Sequence, residues 1–94
     1  MSIENFRHKG LERLFLHDDP RGVNPALANK IRNILFALSQ ATEVTAMGLF
    51  PGWRLHRLKG DLQGGWSVTV SGNWRIVFRF KDGNAFDVDL IDYH

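Results

Sequence analysis

The chain has 94 residues, enough for one domain with a single modest core, and it contains no cysteine, which excludes a disulfide framework. A net charge of +2 and a hydrophobic share of 44% are typical of a soluble globular domain. No apolar run approaches the roughly 18 residues that a membrane span needs, and the first residues lack the features of a signal peptide. We therefore predict a single cytoplasmic domain over residues 1–94, without a membrane partner.

The N-terminal segment predicts a short strand followed by a short helix. Residues 3–6 are a candidate strand, and residues 9–16 carry apolar side chains at the spacing of one helix face. Those side chains are Leu11, Leu14 and Phe15. The turn-forming residues over 17–22 predict that this helix ends there.

The longest helical pattern follows that turn. Asn24 suits an N-cap and Pro25 suits the first turn of a helix. From there an apolar stripe at helical spacing continues to about Ala41. Residues 42–52 have no clean period and end in a Pro-Gly turn.

The second half of the chain changes to the two-residue period of β-strands. The predicted strands cover residues 54–58, 66–70, 74–80 and 85–91, with a loop over 59–65. Two helices followed by sequential strands predict an α+β domain in which the helices cover one face of a sheet.

Two hairpin loops decide which side chains share a face of that sheet. A three-residue loop at 71–73 pairs Val70 with Trp74 and separates apolar from polar residues, whereas a two-residue turn would mix them. The same reasoning gives a three-residue loop at 82–84. The face predicted to pack in the core then holds Trp66, Val68, Val70, Trp74, Ile76, Phe78, Phe80, Phe86, Val88 and Leu90.

The other face is predicted to be polar and to carry arginines. Arg79 should oppose Asp87 on this face, and Arg75 should lie beside Ile91 of the last strand. His56 joins the same face by alternation along its own strand.

The end of the last strand sets a condition on this arrangement. By alternation Asp92 and His94 follow Leu90 toward the core side, whereas Tyr93 follows Ile91. The strand must therefore twist or end near Ile91 if the last three side chains are to converge.

Positive charge is concentrated in the second half of the chain. Between residues 54 and 81 there are six cationic and two anionic side chains, an excess that favours an anionic partner. A solubilising surface is the simpler explanation of such a patch taken alone.

The titratable residues here are the components of a metal-free site that cleaves RNA. Such cleavage needs a base for the 2′-hydroxyl proton, an acid for the 5′-oxygen leaving group and cations for the phosphate. His56 and His94 can take the two proton-transfer roles, because an imidazole titrates near neutral pH. Asp92 can orient an imidazole or act as the base itself.

Other side chains can bind the substrate. Arg75 can present its planar guanidinium to a phosphate, and Tyr93 can donate a hydrogen bond or stack on a base. Three further cations are candidate phosphate ligands: Lys59, Arg57 and Arg79. Each residue also has an ordinary explanation, as a surface histidine, a solvated terminus or half of a surface ion pair. A metal site from Asp92, His94 and His56 has no ligand pair at helical spacing, so no metal or cofactor is predicted.

Four segments of the chain resemble a known family. They are residues 6–15 (FRHKGLERLF), 55–68 with its HRLKGDLQGGW run, 73–78 (NWRIVF) and the final Asp92-Tyr93-His94. In this order they resemble the HigB toxins of type II toxin–antitoxin systems, within the RelE/ParE superfamily. The resemblance covers essentially the full length.

The resemblance implies a RelE/ParE-like α+β fold, with two N-terminal helices packed on one face of a small, mostly antiparallel twisted sheet. It implies an endonuclease that cuts mRNA in the A site of the 70S ribosome and so inhibits translation. The residues that match the family's catalytic group are His56, Asp92, Tyr93 and His94. Arg75 and Lys59 match positions where contact with RNA is expected.

The same resemblance implies a partner and leaves two alternatives. The expected partner is a helix-turn-helix antitoxin of the HigA kind, and operator DNA is bound only through the antitoxin complex. One alternative is a non-catalytic inhibitor that binds the ribosome. The other is a gyrase poison of the ParE kind, although that branch lacks the catalytic set that His56 and the last three residues provide.

Overall fold

A computed structural model describes residues 3–58 and 64–92 of the chain. Its helices are α1, Lys9–His17, and α2, Ala28–Gln40, and its strands are β1, His56–Arg57, β2, Gly65–Ser71, β3, Trp74–Lys81, and β4, Asn84–Asp92. Single 3-10 turns cover Pro20–Gly22, Pro25–Leu27 and Val44–Leu49. The strands form one antiparallel sheet in the order β1-β2-β3-β4. The predicted α+β class is therefore confirmed.

α1 lies where the apolar spacing predicted it, and both of its ends are capped. At the start, the Nδ1 atom of His8 accepts a hydrogen bond from the backbone N–H of Leu11 at 3.2 Å. At the end, Asp18 takes a left-handed conformation and its N–H returns to carbonyls of the last turn. These caps satisfy backbone groups that the helix itself leaves without partners.

α2 begins three residues later than the proline suggested. The Oδ1 atom of Asn24 does accept a hydrogen bond from the N–H of Ala26 at 2.9 Å, but the turn that it caps is a 3-10 turn. Pro25 suits the first position of such a turn because it has no N–H to satisfy. The α-helix starts at Ala28, and its buried stripe contains Ile31, Ile34, Leu35 and Leu38.

The core lies between the helices and one face of the sheet, which is called the inner face below. Five of the ten side chains predicted for this face are buried there: Val68, Val70, Ile76, Phe78 and Val88. Trp66, Phe80 and Leu90 are half-buried against the core. The prediction is wrong for Trp74, which is 39% exposed because it lines an open cleft at the end of the sheet.

The predicted three-residue hairpin loops are wrong. Gly72 with Asn73 and Asp82 with Gly83 form two-residue turns, so that the first pair of the β2–β3 hairpin is Ser71 with Trp74. Each hairpin contains a β-bulge, in β2 before the first turn and in β4 after the second turn. The extra residue restores the separation of polar and apolar faces that the longer loops were predicted to provide. Asp82 and Gly83 both have positive φ, as a type I′ turn requires.

The bulge in β4 also changes the predicted partner of Arg79. Arg79 pairs with Phe86, and Asp87 is the additional residue, with a left-handed φ of 55°. Phe86 is thereby removed from the predicted core row and is half-buried. Arg79 and Asp87 still meet as an ion pair, at 3.8 Å between Nε and Oδ2.

The predicted strand over 3–6 appears as two isolated bridges to β4 rather than as a strand. Ile3 pairs with Ala85 and Phe6 pairs with Val88, both in the parallel sense. The predicted strand over 54–58 is shorter than expected, since Arg54 has a positive φ of 50° and β1 is only His56–Arg57.

Candidate active site

The sheet register places His56 and Arg75 on the same side of the sheet, the outer face, which is turned away from α1 and α2. His56 pairs with Ser67, which pairs in turn with Val77 and Asp89 across the next strands. The adjacent row on the same face is Thr69, Arg75 and Ile91. Residues that are directly opposed in a sheet share a face, so the predicted placement of both residues follows from the register.

His56 and Arg75 line one concave site, which is called the His56 cleft below. Its volume is about 240 Å³, and its described walls are Arg54, His56, Ser67, Thr69 and Arg75. The described walls carry two guanidinium groups, an imidazole and two hydroxyl groups, and no carboxylate. This composition fits a bound anion, because guanidinium, imidazole and hydroxyl groups can all donate hydrogen bonds to it.

The guanidinium of Arg75 is anchored at the neighbouring hairpin turn. Its Nη1 atom donates to the carbonyl oxygen of Gly72 at 2.8 Å and approaches that of Trp74 at 3.5 Å. A group held in this way loses less conformational entropy when it binds a ligand. Arg75 lies between β2 and Ile91 of β4, and thus between His56 and the end of the last strand.

Asp92 lies at that end of the sheet, on the side opposite to Arg75. β4 ends at Asp92, one residue beyond Ile91, and Asp92 pairs with Trp74 of the inner face. From strand geometry, the backbones of His56 and Asp92 are separated by three strand spacings, roughly 14 Å, and by three residues along the strand, roughly 10 Å. Lys59, Tyr93 and His94 lie outside the described residues, so the meeting of the last residues with His56 stays a prediction.

A second polar group on the outer face is called the Asp87 cluster, and it contains Asn5, Arg7, Arg79, Asp87 and Asp89. Oδ2 of Asp87 lies 3.8 Å from Nε of Arg79 and 3.9 Å from Nη2 of Arg7. Asn5 holds Asp87 from both sides, since its Nδ2 donates to Oδ1 at 2.9 Å and its Oδ1 accepts from the backbone N–H at 3.0 Å. Two arginines are matched by two aspartates in this cluster, whose cavity is only about 70 Å³.

The structure therefore distributes the predicted phosphate ligands among different places. Arg75 lies in the His56 cleft, and Arg79 lies in the Asp87 cluster. Arg57 lies on the other side of β1 from His56, with its guanidinium carbon 5.2 Å from the ring centre of Trp66. It is not brought together with His56, and its predicted contact with phosphate stays a prediction.

Sequence reasoning did not single out Arg54 as a site residue. Arg54 precedes His56 by two positions, so alternation along a regular strand would have placed both on the same face. The backbone at Arg54 is not a regular strand, because its φ is positive. Within residues 3–58 and 64–92, no three His, Asp or Glu side chains gather at distances suited to a metal ion. The described helices include none long and apolar enough to cross a membrane.

The comparison with known proteins identifies the family of this chain. Residues 4–94 match the HigB-like toxins, described as RelE-like toxins of the type II toxin–antitoxin system HigB. The chain belongs to this family, and toxins of such systems are paired with antitoxins.

Two curated relatives are similar over almost their whole length. "Endoribonuclease HigB" of Proteus vulgaris is 41% identical over 92 residues, which cover 98% of this chain and 99% of the relative. "Toxin HigB-1" of Vibrio cholerae serotype O1 (strain ATCC 39315 / El Tor Inaba N16961) is 33% identical over 94 residues, covering 96% and 95%.

Proposed function

We propose that this chain is an endoribonuclease that cuts mRNA in the A site of the translating ribosome and so inhibits translation. The observation that carries the proposal is the His56 cleft, where an imidazole and two guanidinium groups line one concavity with no carboxylate in its described walls. The name of the Proteus vulgaris relative, "Endoribonuclease HigB", supports the same reaction. The dependence on the ribosome is supported by the family resemblance.

The chemistry requires one bond to form and one to break at phosphorus. The 2′-oxygen attacks the phosphorus, the bond from phosphorus to the 5′-oxygen breaks, and the products are a 2′,3′-cyclic phosphate and a 5′-hydroxyl. A base takes the 2′-hydroxyl proton and an acid gives a proton to the departing 5′-oxygen. His56 is proposed for one of these transfers, with Asp92 and His94 sharing the other.

The cations are proposed to act on the phosphate during the reaction. Negative charge accumulates on the non-bridging oxygens in the transition state, and fixed donors that face this charge lower the barrier. Arg75 is anchored at its turn and is the proposed principal donor, and Arg54 also lines the cleft. Tyr93 is proposed to position the scissile nucleotide, and Lys59 to add positive charge near the phosphate.

The proposed partners follow from membership of a toxin–antitoxin family. A helix-turn-helix antitoxin of the HigA kind is proposed to neutralise this chain, with operator DNA bound only by the complex of the two. The A site of the 70S ribosome is the proposed place of action.

The test is induction of the chain in a bacterial host, with growth curves and primer-extension mapping of abundant transcripts. His56→Ala should lower the cleavage rate about 100- to 10,000-fold, the usual contribution of a general acid or base. His17→Ala is the matched control, since His17 is an exposed imidazole at the end of α1, outside the described walls of the cleft.

The outcomes separate the proposal from its alternatives. Cuts in wild-type and His17→Ala cells, and intact transcripts with His56→Ala, support it. Growth arrest with uncut transcripts would instead indicate an inhibitor that binds the ribosome without catalysis or, if a DNA-damage response accompanies the arrest, a gyrase poison. Cleavage by His56→Ala at the wild-type rate would show that the proposed site is wrong.

A further inference from the structure

A second concave site lies at the end of the sheet where β3 begins, and it is called the Trp74 cleft below. Its volume is about 280 Å³. Its described walls come from the N-cap of α1, both short turns before α2 and the edge of the sheet: His8, Arg21, Gly22, Val23, Asn24, Leu27, Trp74 and Leu90. Trp74 is 39% exposed, so a large ring lies open where the hydrophobic pattern predicted a packed core residue.

The walls of the Trp74 cleft are held in place by the backbone. Gly10 and Gly22 touch directly, and a Cβ atom on Gly10 would collide with the carbonyl group of Gly22. This contact joins α1 to the 3-10 turn that carries Arg21. The guanidinium of Arg21 is itself oriented by Asp19, through Nε to Oδ1 at 2.9 Å and Nη2 to Oδ2 at 2.8 Å. A site with walls fixed in this way needs little reorganisation to bind a ligand.

The polar side chains of the walls present hydrogen-bond donors. The Nδ1 atom of His8 accepts from the backbone of Leu11, which places the proton of the neutral ring on Nε2. The Oδ1 atom of Asn24 accepts from Ala26, which leaves the NH₂ group as its outward function. Arg21 has only donors. Asp19 already balances the charge of Arg21, so a ligand for this site must supply hydrogen-bond acceptors and needs no charge of its own.

The Trp74 cleft adjoins the proposed active site. Trp74 is the sheet partner of Asp92 and the chain neighbour of Arg75. From strand geometry, the backbone of Trp74 lies two strand spacings, roughly 10 Å, and three residues along the strand, roughly 10 Å, from that of His56, so an RNA strand held at the His56 cleft can continue to the Trp74 ring.

We propose that the Trp74 cleft binds a nucleobase of the RNA strand that continues from the scissile phosphate, with the base stacked on Trp74 and its acceptor atoms facing His8, Asn24 and Arg21. Nucleobases have a π face for the ring and carbonyl or ring-nitrogen acceptors for the donors. This inference rests on the proposed function and adds a substrate-binding residue, Trp74, to it.

The experiment compares two substitutions at the same position. Trp74→Phe keeps an aromatic face, whereas Trp74→Leu keeps apolar volume but has no ring on which a base can stack. Cleavage of one defined mRNA is measured at steady state in a translating extract, and KM and kcat are determined separately. Phe36→Ala is the control for loss of an exposed aromatic ring, since Phe36 is 63% exposed on α2 and is not among the described walls of the Trp74 cleft.

We expect Trp74→Leu to raise KM about tenfold, the loss that one base stack on an aromatic ring can account for, with kcat within about twofold of the wild type. Trp74→Phe and Phe36→Ala should keep KM near the wild-type value. Thermal melts of all four proteins verify that they are folded.

Two results overturn the inference while the proposed function stands. One is an active wild type with equal KM values for Trp74→Leu and Trp74→Phe, which would show that the ring does not stack on a base. The other is a loss confined to kcat, which would place Trp74 in the chemistry rather than in binding. A wild-type protein that leaves every transcript intact instead removes the proposed function, and this inference fails with it.

Discussion

The outer face of the sheet carries two polar groups, the His56 cleft and the Asp87 cluster. They contain similar cationic residues but differ in their acidic residues. Both have two arginines. In the Asp87 cluster the arginines share the carboxylate of Asp87, with Asp89 beside it, and Asn5 holds the backbone at the bulge. In the His56 cleft the described walls have no acid at all.

From this difference we expect the Asp87 cluster to stabilise the fold and the His56 cleft to bind the substrate. An arginine that is paired within the protein has already gained its electrostatic partner, so a phosphate must compete with the aspartate for it. An arginine in a cleft without acidic walls gains most from an incoming anion. Arg75 and Arg79 are four residues apart on one strand, yet the structure gives them different neighbours and hence different expected effects.

The largest expected effect is on the cleavage rate, and the variants Arg75→Gln and Arg79→Gln compare it between the cleft and the cluster. Arg75→Gln should lower the cleavage rate about 100-fold or more, as removal of one donor to transition-state charge does in other enzymes. Its thermal stability should change little, because the Arg75 side chain is bonded to a turn at the protein surface.

Arg79→Gln is the matched variant on the same strand and face. It should cut mRNA at close to the wild-type rate per folded molecule and lose stability instead. Equal losses of cleavage for both variants, with unchanged melting temperatures, would contradict the distinction between the cleft and the cluster. Rates come from primer extension in a translating extract, and stabilities from circular dichroism melts.

The next largest expected effect is a loss of stability when Asp87 is replaced by alanine. Asp87→Ala removes the carboxylate shared by Arg7 and Arg79, the acceptor for Asn5, and a residue type that tolerates the positive φ at the bulge. We expect the free energy of unfolding to fall by about 2 kcal/mol, in line with the loss of a partly buried polar network. Urea titration monitored by tryptophan fluorescence measures the change.

Asp87→Asn separates charge from shape in the same cluster. Asparagine can still accept a hydrogen bond from Asn5 and still tolerates a left-handed backbone, so only the ion pairs are lost. Because the Asp87 side chain is 30% exposed, solvent screens these ion pairs. We expect Asp87→Asn to lower the free energy of unfolding by less than about 1 kcal/mol. If Asp87→Asn costs as much as Asp87→Ala, the ion pairs rather than the clasp by Asn5 hold the bulge.

These residues also show how far the sequence reaches. Alternation along the strands was enough to place His56 and Arg75 on one face, because each buried strand must point its apolar side chains inward. The predicted lengths of the hairpin loops were wrong because a β-bulge adds one residue to a strand without disturbing the period-two pattern on either side of it. The Asp87 clasp was not predictable for another reason, since Asn5 and Asp87 are 82 positions apart and meet only in the fold.

The exposure of Trp74 was unpredictable for a related reason. Its place in the alternation is the same as that of Ile76, which is completely buried. The two differ only in whether a helix covers them, and helix coverage depends on where α1 and α2 cross the sheet. Local periodicity carries no information about that crossing, so an aromatic residue at a sheet end can be core or binding surface with the same sequence signal.

The smallest effect concerns a third charge pair, Asp19 with Arg21, in which the Arg21 side chain is 85% exposed and the Asp19 side chain 21% exposed. The hydrogen bond from the side chain of Arg21 is the main cause that lowers the pKa of Asp19 from 3.8 to about 2. A carboxyl group with a lowered folded-state pKa stabilises the protein above its unfolded value and loses that contribution as the pH falls through the folded value.

Asp19→Asn tests this pair because the amide can still accept the backbone hydrogen bond that Asp19 takes from Arg21 at 3.1 Å. Above about pH 4 the wild type should melt slightly higher than Asp19→Asn, and the two melting temperatures should converge as the pH approaches 2. A difference that persists unchanged to the lowest pH would mean that shape rather than charge stabilises the turn. The charges of the Asp19–Arg21 ion pair would then contribute no measurable stability, as expected if solvent screens the pair completely.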